Sequence, residues 1–271
     1  MKIRTFLLSA GLLTASQIAY AATPTYTIAA QFLQETHLVG AHGDIDIPGG
    51  FTNIYATTYY QLTAINNLNQ VVGYSYSDNT FEPHLQWFQP FIASSTGVKT
   101  YLLLDYYGPG GIYNVSHVIP TAINDNGVIV GNIQTGSGGE SSFIWKNGTV
   151  VHATPPNSFT QFTDINNQGQ IVNSAWSGPQ SILNIDTLQS TAIPPATAYA
   201  INDHGDVVGK ESEEAFLWSQ DNQVNLGTLG GASSTAYDFY DSGYIVGVSL
   251  TGIPYIVDSR PYYFGRAALW S

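Results

Sequence analysis

Apolar and polar positions along the chain follow one short pattern that occurs five times. Residues 64–73 read AINNLNQVVG and residues 122–131 read AINDNGVIVG, and further copies begin at Ile165, Ile201 and Phe239. Each copy combines an apolar strand end, a polar turn and a second strand that is rich in β-branched residues. Two such strands joined by a turn of Asn, Asp and Gly are typical of a β-hairpin. The pattern therefore predicts an all-β repeat protein.

One position of the hairpin predicts the geometry of its turn. It holds glycine in four copies and asparagine in the other, and these two residue types adopt a positive φ most easily. A three-residue loop that ends in a left-handed residue, with a bulge after it, explains this choice. The residues at this position are Asn69, Gly127, Gly169, Gly205 and Gly243.

Further strand patterns follow each hairpin. In four of the five units a short apolar strand ends in a tryptophan, and in the first four units another strand pattern comes after it. We interpret the tryptophans as repeated core contacts between units rather than as a ligand surface. They are Trp87, Trp145, Trp218 and Trp270.

The length of the repeat favours a closed ring of units. Roughly 50 residues for each of five units lies in the range of β-propeller blades. The last unit reaches Trp270 without a further strand pattern, so we predict that residues 26–32 (YTIAAQF) pair beside residues 267–270. Such a strand would close a five-bladed β-propeller. A β-solenoid of stacked repeats is the alternative.

The beginning of the chain has the pattern of an export signal. Lys2 and Arg4 precede an apolar run at residues 6–13, and residues 19–21 (AYA) form a small-x-small cleavage site. We predict that residues 1–21 are a signal peptide and that cleavage near Ala21 leaves one domain, residues 22–271, secreted or periplasmic. The apolar run is shorter than the roughly 20 residues of a membrane-spanning helix, so no membrane span is predicted.

Composition excludes several classes of function. The chain has 7 Lys and Arg residues against 19 Asp and Glu residues, a formal net charge of −12. Nucleic-acid binding is not expected, because its affinity comes largely from basic side chains that neutralise phosphates. The absence of cysteine excludes disulfides, thiolate metal sites and a cysteine nucleophile. No cofactor motif and no established metal-ligand spacing is present, so no cofactor and no metal are predicted.

A stretch of the fourth and fifth units resembles a known repeat. Residues 215–218 (AFLW), residues 225–231 (NLGTLGG) and the hairpin that ends at Gly247 are similar to the repeat of the extracellular HAF-repeat proteins. The hairpin part recurs along most of the chain, and the full connector occurs once. Glu214 stands where the family has the histidine of its name. The resemblance implies an exported bacterial protein that is propeller-like, and it brings no catalytic residues.

Paired tyrosines outside the repeat are the candidate ligand-binding residues. Tyr106 and Tyr107 precede the segment GPGG, and Tyr262 and Tyr263 lie between Pro261 and the sequence FG. We predict that both pairs lie in loops, which commonly carry binding sites on a rigid scaffold. The first hypothesis is therefore a binding module for carbohydrate or for a cell-surface protein partner.

Two other functions remain open from the sequence. A glycoside hydrolase needs two carboxylates that face each other across a cleft, and nothing in the sequence singles out a pair, so no catalytic residue is assigned. A structural or adhesive surface protein is the third hypothesis. The carboxylates considered are Asp105, Glu140, Glu211, Glu213 and Glu214.

Overall fold

The computed structural model has an all-β architecture, with twenty strands in five antiparallel sheets and no helix among the described residues. Each sheet is built from strands that are consecutive in the sequence, and each contains one copy of the hairpin. The described residues are 35–39, 54–78, 88–94, 98–102, 115–135, 140–154, 160–175, 180–194, 196–239, 243–257 and 260–271.

The strands follow chain order within every sheet. The first sheet comprises β1 (Glu35–Val39), β2 (Ile54–Ile65), β3 (Val71–Asp78), β4 (Gln89–Ala93) and β5 (Lys99–Tyr101). The second comprises β6 (Val115–Ile123), β7 (Ile129–Thr135), β8 (Glu140–Lys146) and β9 (Thr149–Ala153), and the third comprises β10 (Thr160–Ile165), β11 (Gln170–Ala175), β12 (Ser181–Asn184) and β13 (Ser190–Ala192). The fourth comprises β14 (Thr197–Ile201), β15 (Val207–Glu211), β16 (Glu214–Ser219) and β17 (Asn222–Gly227), and the fifth comprises β18 (Gly230–Phe239), β19 (Ile245–Val257) and β20 (Arg260–Trp270).

The predicted turn geometry is confirmed. In the third sheet the amide of Asn166 donates to the Gln170 carbonyl (3.0 Å) and the amide of Gly169 donates to the Asn166 carbonyl (3.2 Å), which closes a three-residue loop. The left-handed position has a positive φ in all five copies, from 58° at Asn69 to 86° at Gly205 and Gly243. Local turn chemistry therefore fixes where each hairpin reverses.

An asparagine opens each of the first four loops, and its side-chain oxygen accepts amide hydrogens of its own loop. In the first three of these loops its side-chain amide also donates to the equivalent carbonyl of the following sheet. The bonds between sheets run from Asn66 to Asn124 (3.0 Å), from Asn124 to Asn166 (3.0 Å) and from Asn166 to Asn202 (2.9 Å). We call this row of four residues the asparagine ladder.

A second row lies directly after the ladder and alternates amides with carboxylates. The Asn67 side-chain amide donates to the Asp125 carboxylate (2.8 Å), and the Asn167 side-chain amide donates to Asp125 (3.0 Å) and to Asp203 (2.9 Å). The two carboxylates are thereby separated by an amide that serves both. In the first four loops the Asn or Asp at this position therefore bonds the equivalent side chain of an adjacent sheet.

Each sheet has two apolar faces, because successive side chains of a strand alternate between faces. We define the front face as the one that packs on the preceding sheet and the back face as the one that packs on the following sheet. In the second sheet the front face carries Ile129 and Phe143, which pack on Val72 of the first sheet. Its back face carries Val130 and Ile144, which pack against the third sheet. The same arrangement joins the third to the fourth sheet and the fourth to the fifth.

The tryptophans take part in these contacts between sheets, as predicted. Trp218 is buried in the cluster that joins the third and fourth sheets. Trp145 packs against the cluster of the first two sheets, and Trp270 packs against that of the last two. Trp87 lies outside the described residues.

A β-bulge in the first strand of every hairpin is a feature that the sequence pattern does not predict. The register of this strand shifts by one residue shortly before the loop, for example between Pro120 and Ala122. A Cβ atom on Gly131, the glycine that ends the motif, would overlap the Ile119 carbonyl oxygen and lie 2.6 Å from the Phe143 ring. In the second sheet the bulge thus leaves little room for a side chain at Gly131, whereas the third sheet has the same bulge with Asn173 at the equivalent position. The bulged residues are Thr63, Thr121, Thr163, Tyr199 and Tyr237.

Two adjacent buried serines allow a matched test of the contact between the second and third sheets. Ser142 bonds the Asn132 side chain (2.8 Å) and accepts the Phe162 amide (3.2 Å), whereas the Ser141 hydroxyl has no hydrogen-bond partner within the described part of the chain. We expect Ser142→Ala to lower the free energy of unfolding by about 1 kcal/mol, because it removes hydrogen bonds between the second and third sheets while the Phe162 amide keeps its bond to the Asn132 side chain. Ser141→Ala should raise it by about 1 kcal/mol, because it removes an unpaired buried hydroxyl. Urea denaturation of both variants checks this, and equal effects would contradict the assignment.

Candidate binding surface

The structure places the predicted tyrosines differently from the expected loops. Tyr262 and Tyr263 lie in strand β20, where their backbone partners are Tyr255 and Pro254 of β19. The prediction that this segment is a loop is wrong. Aromatic and β-branched residues on both strands favour the pairing and outweigh the turn signals of the flanking proline and glycine. Tyr106 and Tyr107 lie outside the described residues.

The β19–β20 hairpin extends beyond the rest of the fifth sheet. Strand β18 pairs with β19 only as far as Thr251, which is the partner of Gly230. Strands β19 and β20 continue past this point, and their last pair is Val257 with Arg260. We call residues 252–264 the projecting hairpin. A hairpin of only two strands is marginally stable in water, so further contacts would stabilise it.

Large apolar side chains are exposed on this hairpin. Ile253 is 78% exposed, Tyr263 is 52% exposed and Phe264 is 54% exposed. Neighbouring residues of a strand point to opposite faces, so Tyr263 and Phe264 present apolar surface on both faces of the hairpin. An exposed apolar patch of this kind is typical of an interaction site.

The back face of the fifth sheet is also exposed. Leu269 is 63% exposed and Val248 is 39% exposed. The residue of the second sheet that corresponds to Leu269 is Ile144, which is completely buried against the third sheet. The fifth sheet therefore carries the same kind of packing face as the earlier sheets, with its side chains open to solvent.

A pair of tyrosines at the bulge position is missed by reasoning from the sequence. The rings of Tyr199 on β14 and Tyr237 on β18 lie 5.4 Å apart and both are half-buried. Burial raises the pKa of the Tyr199 hydroxyl, the nearby Tyr237 raises it further, and Lys210 opposes both effects. The signal in the sequence is the change from threonine in the first three copies to tyrosine in the last two.

Three of the carboxylates considered for hydrolysis line one cavity of about 320 Å³ in the fourth sheet. Each has a partner in its own sheet. The Gln223 amide donates to Glu211, the Asn225 amide donates to Glu214, and Lys210 lies 3.0 Å from Glu213. This arrangement is a hydrogen-bonded, charged turn.

Of the other two carboxylates, Glu140 is not among the residues that line this cavity. Glu140 lies in the second sheet, where it accepts a hydrogen bond from the Gln161 amide (3.0 Å). Asp105 lies outside the described residues. Each of the described carboxylates considered has a hydrogen-bond or ionic partner in the fold, and no residue is assigned a catalytic role.

Comparison with known proteins gives no identification: no protein-family model and no curated protein matches the chain. Among the residues whose structure is described, no helix has the length and apolarity that crossing a membrane requires.

Proposed function

We propose that the protein is an exported binding module in which the five sheets are the blades of a β-propeller and the projecting hairpin is the contact surface. The observation that carries the binding function is the exposure of Ile253, Tyr263 and Phe264 on a two-stranded hairpin outside the repeat. The export signal at residues 1–21 and the resemblance to extracellular HAF-repeat proteins support a secreted or periplasmic location.

The contacts between sheets support the propeller arrangement. The first strand of each later sheet contacts two or three strands of the preceding one, and the asparagine ladder joins the loops at the ends of strands in the first four sheets. Sheets that converge at one strand and one row of loops are typical of blades around an axis, whereas stacked solenoid repeats meet along their whole width. The pairs in contact are β6 with β2, β3 and β4; β10 with β6, β7 and β8; β14 with β10 and β11; and β18 with β14, β15 and β16.

The ring would close between the fifth and first sheets. Residues 26–32 would pair with β20 beside residues 267–270, and the exposed back face of the fifth sheet would meet the front face of the first. Leu269 would then pack near Val71, as Ile144 packs near Ile171 between the second and third sheets. Closure buries the apolar face that is open in the fifth sheet.

Because the chain has no cysteine, closure is tested with an engineered disulfide. The double variant Val71→Cys, Leu269→Cys is expected to form an intrachain disulfide on mild oxidation, measured by mass spectrometry and by migration in a non-reducing gel. The pair Leu188→Cys, Leu269→Cys is the control, since Leu188 lies at an exposed position in the connection between β12 and β13 of the third sheet. A disulfide between two chains in the first variant, with none inside the chain, would contradict the closed ring.

The binding function is tested on the hairpin itself. We expect Tyr263→Ser with Phe264→Ser to abolish ligand capture by the chain without residues 1–21, while the thermal midpoint changes little because both side chains are largely exposed. Capture is measured on a glycan array and by crosslinking to proteins of the bacterial surface. Val151→Ser, at an exposed position of the second sheet, is the control.

Three outcomes separate the hypotheses. Loss of capture in the hairpin variant alone supports the proposal. Unchanged capture would place the contact surface elsewhere. Self-association of the wild-type chain through the same hairpin, with no other ligand, would indicate a structural or adhesive surface protein instead.

A further inference from the structure

We propose that Tyr199 and Tyr237 form an oxidative crosslinking site, where one-electron oxidation driven by a peroxide joins the fourth and fifth sheets through a bond between the two rings. Tyr199 lies in β14 and Tyr237 lies in β18, the first strands of these sheets. Their ring centroids are 5.4 Å apart and the ring planes are inclined by 56°, as in packed aromatic pairs. The bond would therefore join two side chains that are already in contact.

The bulge position shows that tyrosine replaces a residue with a local role. In the first three sheets this position holds threonine, whose hydroxyl donates to a valine carbonyl of the next strand (3.3 to 3.4 Å). The hydroxyl of a tyrosine lies at the far end of its ring and does not reach that nearby carbonyl. The fourth and fifth sheets therefore lack the threonine bond within the sheet and have a ring contact between sheets instead.

The crosslink would lie between the two sheets at which the asparagine ladder ends. The ladder bonds join the first four sheets, and the side-chain amide of Asn202, the last member, donates to Asp206 of its own loop (2.8 Å). The fifth copy of the motif has Tyr240 where the other copies have asparagine. A covalent bond between β14 and β18 would add a link to the last sheet that does not depend on the ladder.

The composition of the chain directs oxidation to aromatic side chains. Peroxides commonly oxidise the sulfur atoms of cysteine and methionine in proteins. This chain has no cysteine, its one methionine is Met1, and it has 18 tyrosines. A disulfide is therefore impossible, whereas a bond between two tyrosines is a covalent link that the sequence can form.

The reaction removes one electron and one phenolic proton from each tyrosine. The two phenoxyl radicals join through a carbon–carbon bond between ring carbons next to those that carry oxygen, and the hydrogens on the joined carbons move to the two oxygens. One hydrogen peroxide molecule accepts the two electrons and two protons and becomes two water molecules, with a haem peroxidase as the one-electron oxidant. The product keeps both phenols and has two hydrogen atoms fewer than the separate side chains.

The test treats the full chain with hydrogen peroxide and a haem peroxidase, followed by digestion with trypsin. Cleavage after Lys146 and Lys210 releases residues 147–210, in which Tyr199 is the one tyrosine, and separates them from Tyr237. We expect mass spectrometry to find this peptide joined to the peptide that begins at residue 211, with two hydrogen atoms lost and the bond at Tyr237. The treated chain should show dityrosine fluorescence and still migrate as a monomer in a denaturing gel.

The crosslink should also stabilise the fold. It closes a loop between two distant residues and so restricts the unfolded chain, which should raise the thermal midpoint by roughly 5–10 °C. An unchanged midpoint in the crosslinked sample would contradict a bond between folded sheets.

Matched variants locate the bond. Tyr199→Phe and Tyr237→Phe each keep a ring at the contact but remove the phenolic oxygen, so both should lose the crosslink while the midpoint before oxidation changes little. Tyr244→Phe, at an exposed position close to the same sheet, should leave the crosslink unchanged. Persistence of the crosslink in either of the first two variants would overturn the proposal. So would coupling between different chains alone, or oxidation of other tyrosines without a bond at this pair.

Discussion

Asn166→Ala is expected to lower the free energy of unfolding by about 4 kcal/mol. The side chain is completely buried, and its oxygen accepts the amides of Gln168 (3.1 Å) and Gln170 (2.8 Å) within the loop. Its amide donates to the Asn202 carbonyl of the fourth sheet (2.9 Å). Alanine leaves several of these groups without a partner, and each unpaired buried group costs about 1–3 kcal/mol.

Two further variants separate the roles of the Asn166 side chain. Gln168→Ala changes an exposed position of the same loop and should have an effect below about 0.5 kcal/mol. Asn166→Asp keeps the acceptor but loses the donor to Asn202 when it is ionised. Burial favours the neutral acid and raises its pKa above the unfolded value, so this variant should lose more stability at pH 7 than at about pH 4. Urea denaturation at both pH values measures this, and a pH-independent loss would contradict the bond between sheets.

Gly131→Ala is expected to lower the free energy of unfolding by about 3 kcal/mol, which is in the range found when a packed core is overfilled. The new methyl group would overlap the Ile119 carbonyl oxygen and press on the Phe143 ring, both of which are held by the pairing of the sheet. The backbone of β6 approaches this glycine because of the bulge. Either the strand pairing or the ring must shift to make room.

Gly127→Ala is the matched control four residues earlier. Gly127 has a φ of 72°, and a methyl group added to it would meet open space, with no atom within 4 Å. The only expected effect of Gly127→Ala is the strain of alanine in a left-handed backbone conformation, which lowers the free energy of unfolding by about 1 kcal/mol. Thermal and urea unfolding of the two variants give the comparison. A larger loss for Gly127→Ala than for Gly131→Ala would contradict the role given to the bulge.

The features that the sequence predicts correctly are those set by local chemistry. Only glycine and asparagine occur at the left-handed position of the loop, so the position is evident in the sequence. The structure has a positive φ there in all five copies, from Asn69 to Gly243. The tryptophans are recognisable as core residues because they recur at one strand position. In both cases the physical requirement restricts which residue types one position can hold, so the restriction is visible in the sequence.

The bulge and the projecting hairpin depend on pairing between strands and are harder to predict. Threonine, which occupies residues 63, 121 and 163, is an ordinary strand residue. That it is bulged, with no partner residue of its own, is evident only when the pairing with the next strand is known. The local pattern around Tyr263 indicates a loop and is wrong, because pairing with β19 outweighs the turn signals and is not visible in the local sequence. The proximity of Tyr199 to Tyr237 comes from the packing of two sheets, which no local pattern reports.

In the asparagine ladder the length of the bonds is constant, whereas the number of residues between successive loops varies. Successive ladder residues are 58, 42 and 36 positions apart, yet the bonds that join them are equal to within 0.1 Å. The ladder bonds therefore keep the same geometry whatever the length of chain between the loops that they join. Segments between the hairpins can lengthen or shorten over evolution without disturbing their neighbours, so they are natural places for the insertion of new surface in this architecture.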